Sequence, residues 1–85
     1  MKREQVYKII DNERNYQDRK WKHKKDEDNS LQEWIFYMGK ALSKATSYNN
    51  LEEEEKALDE IRQLVALGVA CMEINGVPER YVMLT

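Results

Sequence analysis

The apolar residues of this chain recur at intervals of three and four, which is the period of a helix with one buried face. In the first segment they are Val6, Tyr7, Ile9, Ile10, Tyr16 and Trp21. This spacing predicts a helix over residues 2–20, although Glu13 and Gln17 fall where the apolar stripe would continue. Those two polar side chains are therefore expected either to be solvated or to line a pocket.

A second helix is predicted over residues 30–47, because Ser30 and Glu33 have the spacing of a capping box. Its expected core stripe consists of Leu31, Trp34, Ile35, Met38, Leu42 and Ala45. A neighbouring polar row on the same helix is formed by Glu33, Tyr37, Lys40 and Lys44. Gly39 costs roughly 1 kcal/mol relative to alanine inside a helix, so it indicates a close helix approach or a ligand.

A third helix is predicted over residues 51–75, with Asn50 as its N-cap. The acidic run Glu52–Glu55 then lies at the positive end of the helix dipole. The pair Asn75–Gly76 has the composition of a C-cap and ends the helix. The uncharged stretch Leu64–Met72 is apolar on nearly all sides, which predicts a helix that is buried among others.

These patterns predict an all-α protein, a single three-helix domain over residues 1–85 in which helices two and three form an antiparallel hairpin. A basic loop over residues 21–29 joins the first two helices, and a tail follows over residues 76–85. A chain of 85 residues buries only roughly 60 to 65% of its unfolded surface, so its stability as a monomer is marginal. We therefore expect a homo-oligomer, assembled into a larger helical bundle.

The composition narrows the class of protein. A formal net charge of −2 with 35% charged residues is typical of a soluble domain. Cys71 lies in the apolar stretch and is expected to be a small buried hydrophobe, with neither a disulfide framework nor zinc-ligand spacing in the sequence. No apolar segment approaches the ~20 residues that span a bilayer, and the N-terminus lacks a signal-peptide core. We expect a cytoplasmic protein without a membrane partner.

The strongest local charge pattern is the basic segment Arg19–Lys25, which contains Trp21 and is followed at once by acidic residues. Adjacent blocks of opposite sign favour an exposed loop, while a basic run with an aromatic residue could also contact a nucleotide. His23 stands alone among lysines, so we do not expect it to bind a metal. One basic segment in an acidic protein is a small footprint, so nucleic acid is not an expected partner.

Two segments carry a resemblance to a known family. ERNYQDRKW at Glu13–Trp21 has the pattern ER-x-x-QD-x-KW, and LDEIRQLVALGVACMEING occupies Leu58–Gly76. Both resemble segments of small phage and bacterial proteins related to the MazG-like, all-alpha nucleotide pyrophosphohydrolases, the second resembling their last core helix. The resemblance extends over much of the chain and implies a helical, oligomeric, nucleotide-handling fold with a magnesium site.

The residues that would hold magnesium depart from the family pattern. In such enzymes a Glu-x-x-Glu pair on one helix and a Glu-x-x-Asp pair on the next hold the ion. Here Tyr37 and Lys40 stand at the two glutamate positions, Glu60 matches the first acid of the second pair, and Gln63 replaces the other. A lysine ammonium repels a divalent cation by about 1 to 4 kcal/mol, whereas it attracts a phosphate. The resemblance thus implies a degenerate relative.

We therefore expect a non-catalytic nucleotide-binding protein with no cofactor, in the family context a phage sponge that sequesters a host cyclic nucleotide signal. Its expected ligand-binding residues are Tyr16, Lys20, Trp21, Tyr37, Lys40, Lys44, Glu60 and Gln63. One alternative is a Mg²⁺-dependent nucleoside triphosphate pyrophosphohydrolase that uses Glu60, Glu73 or the run Glu52–Glu55. The other is a helical protein–protein interaction module that inhibits a host protein.

Overall fold

The computed structural model describes residues 1–22 and 28–80, which contain three helices. They are α1 (Arg3–Lys20), α2 (Leu31–Asn50) and α3 (Glu54–Asn75). Helix α3 is the central one, because it packs against both α2 and α1. The predicted all-α class and the hairpin of helices two and three are confirmed. His23 and the rest of 23–27, together with the last part of the predicted tail (81–85), lie outside the described residues.

The hairpin begins at the predicted capping box. The Ser30 Oγ accepts a hydrogen bond from the Glu33 backbone N–H at 3.1 Å, and the Ser30 N–H donates to Glu33 Oε1 at 2.9 Å. Further along α2, the indole of Trp34 is completely buried against α3. The residues that surround it are Trp21, Tyr37, Met38, Leu67, Ala70 and Cys71. The small side chains of α3 leave the volume that the large indole fills.

The face of α2 that is buried differs from the predicted stripe. Leu31, Ile35 and Leu42 were expected in the core, but each is more than half exposed. Trp34 and Ala45 of the predicted stripe are buried and Met38 is partly buried, and they are joined by Ala41, which was not predicted. Both faces of the helix are apolar, and the one with the small residues allows a closer approach to the alanines of α3. Packing complementarity, and not apolarity alone, therefore decides which face α2 buries.

The other two helices show corrections of the same kind. In α1 the only buried apolar residue is Ile10, whereas Arg14 and Gln17 are buried although they are polar. The apolar stretch of α3 is not buried on all sides, since Val65 and Met72 are about two-fifths exposed. A methyl group on Gly39 would meet no atom within 4 Å, so within the described chain no helix approaches it closely.

The turn between α2 and α3 lies later than predicted. Asn50 is the last residue of α2, and Glu53 is the N-cap of α3, without a side-chain cap. Asparagine and serine reduce helix stability by only about 0.7 kcal/mol or less, so the tertiary packing of the half-buried Tyr48 can extend the helix through them. The other end of α3 agrees with the prediction, since Gly76 is its C-cap and donates its N–H to the Met72 carbonyl at 2.8 Å.

Glu52 has a φ of 60°, the left-handed region that favours glycine. We expect Glu52→Gly to raise the free energy of unfolding by about 0.5 to 1 kcal/mol, because the relieved strain exceeds the entropy that glycine adds to the unfolded chain. The Tm should rise by roughly 2 to 6 °C in a thermal melt followed by circular dichroism. Glu52→Ala is the control, because it removes the charge but keeps the Cβ. An equal gain in both variants would assign the effect to charge and contradict the prediction.

Candidate functional site

A polar network joins α1 to α3, with the buried Arg14 at its centre. Its guanidinium donates to Glu73 Oε1 at 3.0 Å, to Asp18 Oδ1 at 2.9 Å and to Gln17 Oε1 at 3.2 Å. The Arg14 side chain is only 5% exposed, while its two acidic partners are about half exposed. The network therefore neutralises a buried cation with carboxylates that reach it from the surface.

A second arginine joins the same two helices, but here the arginine belongs to α3 and its acidic partner to α1. Arg62 of α3 donates to Glu13 Oε1 at 2.8 Å and also pairs with Asp59. Asp59 in turn accepts a hydrogen bond from the side-chain amide of Gln63 at 2.9 Å. Gln17 completes the contact by donating to the Gln63 backbone carbonyl at 3.5 Å, the outer limit for a hydrogen bond.

Both arginines keep their charge. Burial lowers the pKa of Arg14, but the hydrogen bond and charge of Glu73, together with those of Asp18, leave its pKa above the ordinary value. The pKa of Arg62 is raised chiefly by its hydrogen bond to Glu13, against the opposing effect of burial. A raised pKa stabilises the fold at every pH below the ordinary arginine value and loses this effect only in strong alkali. The two networks therefore hold their cations throughout the neutral range.

These contacts give the segment Glu13–Trp21 a structural role. Glu13, Arg14, Gln17, Asp18 and Trp21 lie at positions i, i+1, i+4, i+5 and i+8, which share one face of a helix. That face meets α3 through the hydrogen bonds described above and through Trp21, which packs against the hydrophobic core. Sequence reasoning missed this role of Arg14 and Arg62. The sequence did contain a signal for Arg14, because Ile10, Arg14 and Gln17 are four and three residues apart and therefore lie on the same face of the helix.

Beside this network lies a cleft of about 410 Å³ between the second half of α1 and the middle of α3. It is lined by Glu13, Tyr16, Gln17, Lys20, Trp21, Arg62 and Gln63. We call it the α1–α3 cleft. Its walls combine two aromatic rings with charged and amide groups, a composition that can both stack a flat ring and hydrogen-bond to polar substituents.

Four of the eight residues predicted to bind a ligand line the α1–α3 cleft. They are Tyr16, Lys20, Trp21 and Gln63. Tyr16 and Lys20 are exposed, while Trp21 is half-buried because one part of its ring packs on the core. Lys20 makes no ion pair with any residue in the described part of the chain, so its ammonium group faces solvent.

The other four predicted residues lie elsewhere. Tyr37 is half-buried against the core cluster and meets Phe36 edge-on. Lys40 is exposed, with its ammonium 5.7 Å from the centre of the Phe36 ring, and Lys44 is exposed on the same helix. Glu60 is partly buried on α3 but does not line the cleft. The three α2 residues therefore do not line the α1–α3 cleft with Lys20, although Tyr37 and Trp21 pack against the same core cluster.

The acids considered for a metal site do not converge either. Glu73 is held by Arg14, and Glu53 of the acidic run pairs with Lys56 at 3.5 Å. Within residues 1–22 and 28–80, no group of three or more His, Cys, Asp or Glu side chains is arranged to hold a metal ion. In the same ranges, no helix has the length and apolarity that crossing a membrane requires.

The fold and the cleft define the class: a small all-α protein with a polar, aromatic-lined cleft between its first and third helices. The chain matches no protein-family model, no curated protein and no solved structure.

Proposed function

We propose that the protein binds a nucleotide in the α1–α3 cleft without hydrolysing it. The observation that carries this proposal is the convergence of Tyr16, Lys20, Trp21 and Gln63 in one cleft. These residues were selected from the sequence because aromatic, cationic and amide groups are the ones that recognise a base and a phosphate. The cleft volume of about 410 Å³ also falls within the range of about 300 to 1,000 Å³ that is usual for small-molecule sites.

Each residue has a role in this proposal. The exposed ring of Tyr16 and the half-buried ring of Trp21 offer surfaces on which a base can stack. The Gln63 amide nitrogen already donates to Asp59, which leaves its side-chain carbonyl oxygen to accept a hydrogen bond from a base amino group. The ammonium of Lys20 at the end of α1 is the group for the phosphate.

The charge of the cleft favours a ligand with few negative charges. Arg62 also lines the cleft, but its guanidinium is neutralised by Glu13 and Asp59. Among the described residues that line the cleft, Lys20 is then the cation without an acidic partner, and one ammonium group suits a monophosphate or a phosphodiester better than a triphosphate. We therefore favour a nucleoside monophosphate or a cyclic nucleotide. Sequestering such a signal molecule, as a sponge does, is the biological role consistent with binding alone.

The test is titration of the protein with adenosine and guanosine monophosphates, cyclic mononucleotides, cyclic dinucleotides and nucleoside triphosphates. Binding should quench the fluorescence of the half-buried Trp21 more than that of the fully buried Trp34. Lys20→Ala should weaken binding by about tenfold or more, equivalent to about 1.4 kcal/mol. Lys8→Ala is the matched control, since Lys8 is an exposed lysine of α1 outside the cleft.

Several outcomes would contradict the proposal. The proposal would be wrong if none of the nucleotides bound. It would also be wrong if Lys20→Ala and Lys8→Ala lowered the binding affinity equally. Mg²⁺-dependent release of pyrophosphate from deoxynucleoside triphosphates, lost in Glu60→Gln, would establish the enzyme alternative. If Lys40→Ala and Lys44→Ala weaken binding as much as Lys20→Ala, the phosphate site lies on α2.

A helical interaction module is the second candidate, and the exposed apolar side chains favour it. Large apolar residues that are more than one-third exposed occur on all three helices. Examples are Ile9 of α1, Phe36 of α2 and Leu58 of α3. These side chains are already partly buried, so covering one of them completely would stabilise the protein by roughly 0.5 to 2 kcal/mol. A homo-oligomer would use this surface without needing the cleft.

A further inference from the structure

An apolar groove of about 820 Å³ lies between the first half of α1 and the first half of α3. Its floor and walls are formed by Val6, Ile9, Ile10, Leu58, Ile61 and Val65. We call it the N-terminal groove. Five of these six side chains are between 38% and 57% exposed, so the groove is a continuous apolar surface that no described part of the chain covers.

The spacing of these residues matches a helix-packing surface. Val6 and Ile9 are three residues apart on α1, and Leu58, Ile61 and Val65 follow at intervals of three and four on α3. Such rows are the seams along which helices pack in bundles. The groove has one such row on α1 and another on α3, so a pair of helices from another chain could pack against both rows.

The charges at the rim fit a second copy of the same surface. Glu55, Lys56, Asp59 and Arg62 border the groove, two acidic and two basic residues within eight positions. Arg62 pairs with Asp59, and Lys56 pairs with Glu53, so the rim carries little net charge and does not repel a second copy placed against it by a two-fold axis. A rim of one sign would instead repel its copy.

The composition of the core provides a reason for association. Among the described residues, the buried hydrophobic side chains larger than cysteine are Ile10, Trp34 and Leu67, and the remainder are alanines and Cys71. So small a core stabilises a chain of this length only weakly. Covering the N-terminal groove would add five large aliphatic side chains to the buried set.

We propose that the protein forms a two-fold symmetric dimer in which the N-terminal grooves of two copies pack together, so that two α1 and two α3 helices form a four-helix interface. This dimer does not depend on nucleotide binding. Eleven residues line the groove, fewer than the about 20 to 30 per partner of a standard interface. A contact of this size lies at the small end of specific interfaces, so we expect a weak association with a dissociation constant of micromolar order.

The test is sedimentation equilibrium of the full chain at concentrations from about 1 to 500 µM, a range that brackets micromolar affinity. Leu58→Glu should raise the dissociation constant by about 100-fold or more, because the symmetry buries the new carboxylate twice. Ile35→Glu on α2 is the matched control, since Leu58 and Ile35 are both 57% exposed. It should leave the dissociation constant within about threefold of the original value, as expected for a surface change outside the interface.

Folding is checked separately by circular dichroism. If Leu58→Glu loses helical signal, Ile61→Asp provides a second test of the same groove at a 43% exposed position.

A monomer at every concentration would overturn the proposal. Dissociation by Ile35→Glu and not by Leu58→Glu would overturn it as well and assign the contact to α2. Association that appears only after deletion of 81–85 would show that this tail occupies the groove. A nucleotide titration of Leu58→Glu separates this proposal from the cleft, because the groove variant should bind nucleotide as the unmodified protein does.

Discussion

Replacing Trp34 with alanine is expected to lower the free energy of unfolding by about 3 to 5 kcal/mol. Trp34 has no solvent exposure, and it is the largest side chain of the cluster that joins α2 to α3. Its loss leaves a cavity lined by Leu67, Ala70 and Cys71, and the short side chains on α3 cannot move to fill it. Small domains have about 5 to 15 kcal/mol of stability in total, so much of it would be lost. Urea denaturation followed by circular dichroism measures the change.

The control for this prediction is Trp34→Phe. In the described part of the chain the Trp34 Nε1 atom has no hydrogen-bond partner, and a buried donor without a partner costs about 1 to 3 kcal/mol. Phenylalanine removes this donor and retains an aromatic ring, so the gain offsets part of the lost packing. We expect a net cost below about 1.5 kcal/mol. A cost as large as that of alanine would mean that the indole N–H is bonded in solution.

The second large effect is expected at Arg14. Arg14→Ala removes the hydrogen bonds to Glu73, Asp18 and Gln17 together with the packing of the side chain, and should cost about 2 to 4 kcal/mol. Glu73→Ala should cost about 1.5 to 3 kcal/mol, because a buried guanidinium loses one of its charged partners. The two changes share one interaction, so the double variant should cost less than the sum of the single ones. Chemical denaturation of the three variants gives the coupling free energy.

The pair of Arg62 and Glu13 provides the matched comparison. It joins the same two helices at a similar distance, 2.8 Å against 3.0 Å for Arg14 and Glu73. The buried partner is the acid in one pair and the arginine in the other, since Arg62 is 36% and Glu13 11% exposed, whereas Arg14 is 5% and Glu73 53% exposed. Each pair thus has one exposed partner that solvent screens, so we expect the coupling of Arg62 to Glu13 to be similar to that of Arg14 to Glu73. A much weaker coupling of Arg62 to Glu13 would show that the burial of the arginine, and not that of the acid, determines the strength of the pair.

The two arginine networks also change the interpretation of the segment Glu13–Trp21. In this structure Glu13 and Arg14 of the segment bond to side chains of α3. Helix docking therefore explains these two residues without reference to a ligand. Tyr16, Lys20 and Trp21 of the same segment are the ones proposed to contact the nucleotide, and the docking positions them at the α1–α3 cleft.

The helix ends show how much could be predicted locally. The start of α2 at Ser30 and the end of α3 at Gly76 agree with the prediction, because a capping side chain and a left-handed glycine act within a few residues of the chain. The start of α3 was wrong, because Asn50 is a good N-cap only if the preceding helix has ended. Helix α2 continues through this residue, and the local pattern contains no information about how far packing will extend it.

The candidate site was only half predictable. Sequence reasoning selected residues that could bind a nucleotide, and Tyr16, Lys20, Trp21 and Gln63 meet in one cleft. Lys40 and Lys44 were predicted on the same chemical grounds, but they lie on α2 and do not line that cleft. Whether two helix faces converge depends on how a third helix separates them, and residue spacing within each helix does not report this.

The sequence by itself determined that the chain forms three helices and that α2 and α3 fold back on each other, since apolar periodicity and capping are local properties. Only the tertiary structure decided which faces meet. The face of α2 with Ala41 and Ala45 packs inward while Ile35 and Leu42 stay exposed, and α1 buries Arg14. Each helix has more than one apolar or pairable face, and the fit of side-chain volumes and charges between helices selects among them.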